Sequence, residues 1–255
     1  MGSKIQQKTI PTLYNMSSSQ SHVCLWALEE VAATHSIKYH VKNLRRRDPN
    51  TPIVFGSLFP VNKSPIVTLA PFDASPEAQA AASTNYQVTP GVLTESRLIL
   101  QFISDYYSAG EWIPESVEDK RRDTFFAEFA KSSLLLKVDF CVAFEVLASF
   151  LPWGLRHFVY LLVKPIVAHF IRDLNDIWGV MEGALGGEGK RWFSGSRMGM
   201  ADFCMSFPMD MAVQRGYFDE SKFPKVREWY GRVVGREAYK RALVKGEVYD
   251  LAKFA

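Results

Sequence analysis

Three short stretches of this chain carry side chains that can do chemistry together. Ser17-Ser18-Ser19 stands between an apolar run ending at Tyr14 and a stretch with helical period. Asn62-Lys63-Ser64-Pro65-Ile66-Val67 enters an apolar run through a Ser-Pro turn, and Thr94-Glu95-Ser96-Arg97 opens a second helix-periodic stretch. A thiol reacts as its thiolate, and with an ordinary pKa of about 8.5 it is mostly protonated at neutral pH. Lowering that pKa by about two units takes about 2.7 kcal/mol of preferential stabilisation of the anion. A hydroxyl at a helix N-terminus is a source of it, because the hydrogen bond, the unpaired N–H groups and the helix dipole all favour negative charge there. The three serines sit where such a donor belongs, and each can equally serve as an ordinary N-cap. Glu95, Ser96 and Arg97 bring N–H groups, a hydroxyl and two opposite charges to one helix start, which is equipment for holding a small zwitterion.

Those residues need elements to position them. Residues 9–14 read as a first strand. The serine turn leads into a helix over 21–33 on which Cys24, Leu25, Leu28 and Val31 keep helical period, and 37–44 reads as a second strand. Asp48-Pro49-Asn50-Thr51-Pro52 is a turn signal, and 53–58 is too short to assign. Pro65 fixes φ and favours extended geometry, so 66–69 reads as a strand. Another strand falls at 92–93, after which Thr94 can cap a helix carrying Leu98, Ile99, Phe102 and Ile103. The insert at 70–90, rich in Ala, Ser, Pro and Gln, reads as a mobile surface loop. Beyond Ser108-Ala109-Gly110 the pattern is helical throughout: from Val117 onward, then 161–174, 177–185, 201–213 and 225–234. The expected fold is α/β followed by all-α, with domains at 8–107 and 115–255.

Composition narrows the function classes. The chain has 255 residues, is 47% hydrophobic and 22% charged, and carries a formal charge of +3, which gives no reason to invoke nucleic acid. Arg45-Arg46-Arg47 reads as a solvated turn. Cys24, Cys141 and Cys204 are odd in number and show no CxxC spacing, against a disulfide framework and a zinc site; a reducing, cytoplasmic compartment fits. The five histidines form no ligand-like cluster, so no metal is expected. Residues 1–11 lack the apolar core of a secretory signal. Residues 140–171 are the most apolar stretch, but Glu145, Arg156, His157 and Lys164 interrupt it and Pro152 and Pro165 break it. Buried helices are the favoured reading, with room left for peripheral membrane association through amphipathic surface helices.

Strand, Ser-Pro, strand, then Glu-Ser at a helix start resembles the glutathione site of glutathione transferases, in which a thioredoxin-like domain precedes a helical one. Met198-Gly199-Met200-Ala201-Asp202-Phe203-Cys204-Met205-Ser206-Phe207-Pro208 is similar to the Ala-Asp helix start of that family's second domain, and its Met-Ser-Phe-Pro continuation looks like the fungal branch that includes a yeast enzyme. The resemblance implies glutathione as co-substrate and a homodimer acting in detoxification or secondary metabolism. It implies that Pro65 follows a cis bond and that the Ile66 backbone pairs with the cysteinyl part of glutathione, beside Ser64. Glu95 and Ser96 would hold the γ-glutamyl end, Arg97 would stand beside them, and Lys63 and Asn62 would reach the glycyl carboxylate. The thiol-activating group is Ser18, then Ser19, then Ser17, then Tyr14 in order of preference. A serine at position 18, where cysteine-type relatives carry cysteine, argues against thiol–disulfide chemistry, and Cys24 belongs to an apolar helix face. Asp202 is a helix-start residue whose usual Ser or Thr partner is Gly199, so half of a reciprocal cap is missing. The resemblance puts the electrophile site between the domains, with Phe126, Phe129, Phe140 and Trp153, and also Phe144 and Tyr160, as candidate lining. Three activities stay open: conjugation of glutathione to hydrophobic electrophiles, glutathione-dependent cis–trans isomerisation of a conjugated product, and glutathione binding by a regulatory module with little turnover.

Overall fold

Parallel strands need a crossover, and the order of apolar runs supplies one at the start of the chain. The computed structural model describes residues 5–149 and 152–253. It divides into two units, one running to Ile113 and resuming at Arg232, the other Pro114–Gly231. The first contains β1 (Thr9–Met16), α1 (Ser21–His35), β2 (His40–Leu44), α2 (Thr51–Leu58), β3 (Ile66–Pro71), α3 (Pro76–Ser83), β4 (Val92–Thr94) and α4 (Ser96–Tyr107). The sheet order is β2-β1-β3-β4, with β1 parallel to β2 and antiparallel to β3, and β4 antiparallel to β3. Ile66 pairs with Tyr14 on one side and Thr94 on the other. That register brings the residues after β1, those before β3 and those after β4 to one end of the sheet. Leu13, Trp26, Leu28, Ile66 and Leu93 form part of the buried core.

The second unit holds α5 (Val117–Phe129), a π-helical segment (Ala130–Leu135), α6 (Leu136–Ser149), α7 (Trp153–Ala184) and α8 (Met200–Gln214). The division between units falls inside α9 (Pro224–Val234), and α10 (Glu237–Gly246) packs on α1 in the first unit. Antiparallel contact between α6 and α7 is fixed by the Lys137–Asp173 ion pair at 2.5 Å and by Phe140 stacked on Phe170, ring centroids 5.2 Å apart. Trp178, Phe193 and Phe203 are fully buried.

Several expectations are corrected. The 70–90 insert contains α3: the Ser75 hydroxyl accepts from Ala78 N at 3.3 Å, Pro76 occupies the first turn, and Ala78 is buried. Alanine is the best helix former, and Ser-Pro-Glu is a helix-start pattern that outweighs the loop-like composition. Gly91 closes the insert at φ +66°, where a Cβ would meet Ala82 O at 2.6 Å, so only glycine fits without a shift. The second strand begins at His40, not 37. The ranges 161–174 and 177–185 belong to one helix, α7. Its two arms, Trp153–Val159 and Leu161–Ala184, meet at a 43° bend four to five residues before Pro165, where the proline ring clashes with the preceding turn. The segment from Arg232 onward, assigned from sequence to the helical domain, groups with the first unit because α10 packs on α1. Among the described residues no single helix is long and apolar enough to cross a membrane, although the bent arms of α7 together pass by length and composition.

Candidate functional site

The turn between β1 and α1 is built by hydrogen bonds reaching in from three places. Ser17 N donates to Leu44 O at 2.9 Å, and Arg46 N donates to Ser17 Oγ at 3.1 Å. Ser18 adopts φ 50°, an uncommon conformation for a side-chain-bearing residue. It is fastened by the C-terminal segment: its N donates to Val248 O at 3.0 Å, and Asp250 N donates to its Oγ at 3.0 Å. Arg46 Nη2 adds a bond to Ser18 O at 3.0 Å. The middle arginine of the Arg45-Arg46-Arg47 run is therefore a clamp on the serine turn, where composition suggested a solvated residue.

Ser19 faces a different set of neighbours. Its Oγ donates to Met16 O at 2.8 Å, lies 2.7 Å from Ser21 Oγ, and stands 3.5 Å from Ser64 Oγ. Ser21 Oγ in turn donates to Asn15 Oδ1 at 2.6 Å. The Ser64–Pro65 bond is cis, the form that the resemblance implies. Tyr14 is placed elsewhere: its ring packs with Phe55 and Ile66 in a core cluster, and its hydroxyl takes a contact from Lys42 Nζ at 3.4 Å. His22, in the first turn of α1, is wholly buried between Tyr239 and Tyr249, and burial pushes its pKa down to about 3. A cavity of about 10 Å³, space for about one water molecule, lies among Asn15, Ser18, Ser19, His22, Gly246 and Tyr249.

At the same end of the sheet, Glu95 occupies the N-cap position of α4 with φ 61°, displacing Thr94 from the capping role expected of it. Thr94 ends β4 instead, its N donating to Gln87 Oε1 at 2.7 Å and its O accepting from Gln87 Nε2 at 3.0 Å. A non-glycine residue at positive φ is energetically unfavourable and persists only where its surroundings impose it. The Glu95 carboxylate is partly exposed and pairs with Lys63 Nζ at 2.6 Å. Ser96 and Arg97 form the half-buried first turn of α4, whose leading N–H groups have no helical acceptor by construction. Asn62 is exposed near α2, where a Cβ on Gly56 would lie 2.8 Å from its Oδ1. Cys24 is fully buried, with its thiol 3.9 Å from Ser96 O.

The start of α8 in the second unit is polar too, but closed. Asp202 is fully buried and accepts from Phe193 N at 2.8 Å, Gly199 N at 3.0 Å, Ser194 N at 3.4 Å and Trp229 Nε1 at 2.8 Å. Burial pushes its pKa up, and these donors pull the other way. The expectation that Asp202 acts alone is corrected. Asp123 of α5 places Oδ1 2.8 Å from Ala201 N, so a carboxylate from another helix replaces the missing hydroxyl cap.

Of the aromatic candidates, Phe126 is buried and meets Phe193 at 4.7 Å between ring centroids, while Phe129 is half-buried beside it. Phe140 is partly exposed on the Phe170 stack with Phe144, and Trp153 is exposed near the start of α7. Phe126 and Phe129 thus share one cluster, and Phe140 lies in another on the α6–α7 pair. Nothing is described for the Tyr160 side chain.

A four-stranded mixed sheet with helices, followed by a helical unit, is the fold of glutathione S-transferases. Residues 170–237 match the family model described as glutathione S-transferase, C-terminal domain. Over 246 residues, 95% of this chain and 90% of the relative, the sequence is 24% identical to glutathione S-transferase 3 of Schizosaccharomyces pombe. A glutathione S-transferase crystal structure from Actinobacillus pleuropneumoniae has TM-score 0.65 at 20% identity, covering 96% of this chain and 97% of that one. The Phanerochaete chrysosporium glutathione transferase solved in complex with oxidized glutathione gives TM-score 0.67 at 16% identity, again covering 96% and 97%. These likenesses support the glutathione S-transferase family for this chain.

Proposed function

We propose that the chain is a glutathione transferase of the fungal, yeast-type branch, which binds glutathione at the sheet end where β1, β3 and β4 present their loops and adds its thiolate to hydrophobic electrophiles. The observation that carries this reading is the meeting of Ser19, the cis Ser64–Pro65 bond and the Glu95–Ser96 helix start at one end of one sheet. The glutathione complex of the Phanerochaete relative supports the choice of ligand.

Each residue's task follows from its chemistry. Glu95 receives the γ-glutamyl ammonium, Ser96 and the first N–H groups of α4 receive the α-carboxylate, and the Ile66 backbone pairs with the cysteinyl amide. Lys63 releases Glu95 and turns to the glycyl carboxylate. That exchange costs little, because an exposed ion pair contributes about 0–1 kcal/mol, whereas charge-assisted contacts to a held ligand are stronger. Among the serines, geometry favours Ser19 over Ser18. The difference is one of position: the Ser18 hydroxyl meets the C-terminal segment, where it accepts from Asp250 N, while the Ser19 hydroxyl stands 3.5 Å from Ser64 Oγ beside the cis bond and can turn its proton from Met16 O to a thiolate. The thiol's proton passes to solvent when glutathione binds as the thiolate; forming the carbon–sulfur bond then expels chloride from chlorodinitrobenzene, or, at an activated double bond, is completed by a proton taken from solvent.

Chlorodinitrobenzene turnover in Ser18→Ala and Ser19→Ala separates the two assignments. Ser19→Ala should lower kcat/KM by about 10- to 100-fold, the size of losing one donor to a developing anion. Ser18→Ala should stay within about threefold. Unchanged turnover in Ser19→Ala removes that assignment, and the mass of the product distinguishes conjugation from isomerisation.

A further inference from the structure

The far part of the α6–α7 pair is unlike the rest of the second unit. The Lys137–Asp173 ion pair brackets residues 146–172 in the sequence. That stretch contains no Asp or Glu, while it contains Arg156, Lys164 and Arg172. Six large apolar side chains in the first half of α7 are exposed: Trp153 at 79%, Leu161 at 66%, and Leu155, Phe158, Leu162 and Ile166. Lys164 and Arg172 are exposed along the same helix. Single exposed apolar residues are ordinary; six on one helix within fourteen positions are a surface built to be covered.

We infer that this helical tip lies on an anionic lipid surface. A tryptophan at the start of an apolar helix, neighbouring lysine and arginine, and the lack of acidic groups are the chemistry of an interfacial helix. A second copy of this chain fits less well, because matching tips would set basic residues against basic residues with no carboxylate in 146–172 to meet them. The 43° bend in α7 and the interrupting charges suit a segment that rests on the surface over one that crosses it.

Vesicle co-sedimentation of the full chain tests this. Binding is expected with phosphatidylcholine vesicles containing phosphatidylserine, weaker with phosphatidylcholine alone, and reduced by salt. Phe158→Ser with Leu162→Ser should weaken binding by at least about tenfold, with thermal unfolding unchanged because both positions are exposed. Lys164→Glu with Arg172→Glu should abolish the preference for phosphatidylserine while leaving the fold intact. Val244→Ser, at an exposed position on α10, should change nothing. Absence of wild-type binding, equal binding in the tip variants, or a tip-dependent shift from dimer to monomer in sedimentation without vesicle binding would each overturn the inference.

Discussion

The carboxylates at the starts of α8 and α4 are used in opposite ways. At α8, Asp202 is sealed from solvent and its oxygens are consumed by donors from Phe193, Ser194, Gly199 and Trp229. At α4, Glu95 holds a strained N-cap conformation, is partly exposed, and pairs with the exposed Lys63. A carboxylate at a helix N-terminus favours the dipole in either place. What differs is where its accepting capacity goes: into the protein's own buried donors at α8, and at α4, in the proposed function, toward the ammonium of glutathione. If the first arrangement serves folding and the second the proposed binding of glutathione, stability and affinity should respond to substitution at different ends of the comparison.

The largest effect is expected at Asp202. Asp202→Ala orphans four buried donors and should cost about 3–5 kcal/mol of stability, read as a lower urea midpoint; a loss below about 1 kcal/mol would mean that the donors find other partners. Glu95→Gln should leave the urea midpoint within about 0.5 kcal/mol and raise the glutathione KM by about 10- to 100-fold, the size of one charge-assisted hydrogen bond. If stability fell instead, Glu95 would be structural and the contrast with α8 would collapse.

The start of α1 adds a pH test. His22 has its folded-state pKa pushed down to about 3 by burial, against about 6.5 when unfolded. Between those values only the unfolded chain takes up the proton. Its stabilising contribution is therefore complete above about pH 6.5 and is lost as pH falls, at about 1.4 kcal/mol per pH unit. His22→Phe should flatten that slope in urea titrations run from pH 7 to pH 4. The smallest effect belongs to the borrowed cap. Asp123→Ala should cost about 1 kcal/mol, and Gly199→Ser in that background should recover part of it by restoring a hydroxyl at the N-cap; Gly199 is in extended backbone, which serine adopts freely.

How much of this could be read from sequence depended on distance along the chain. Ser64-Pro65, Glu95-Ser96 and the Ala201-Asp202 start are local patterns, and the apolar periodicities around them give the alternation of strand and helix. The α3 helix is equally local: its alanines and serines read as loop composition, and the Ser75-Pro76-Glu77 start overrides them. Contacts made across the chain left no such trace. Asp250 reaches Ser18 from 232 positions away, Arg46 clamps the same turn from β2's far end, and Asp123 caps a helix 78 positions downstream at Ala201. The three adjacent serines look alike in sequence, and only the third dimension shows that the Ser18 hydroxyl meets the C-terminal segment while that of Ser19 meets Ser64.

In the proposed function the Ser19 hydroxyl, in the β1–α1 turn, stabilises the glutathione thiolate. Thiolate absorbance of enzyme-bound glutathione, titrated against pH in the wild-type protein and in Ser19→Ala, tests it most directly. The expected bound-thiol pKa is about two units below the free value of about 8.5, returning toward that value in Ser19→Ala with glutathione still bound. A depressed pKa that survives in Ser19→Ala would contradict it.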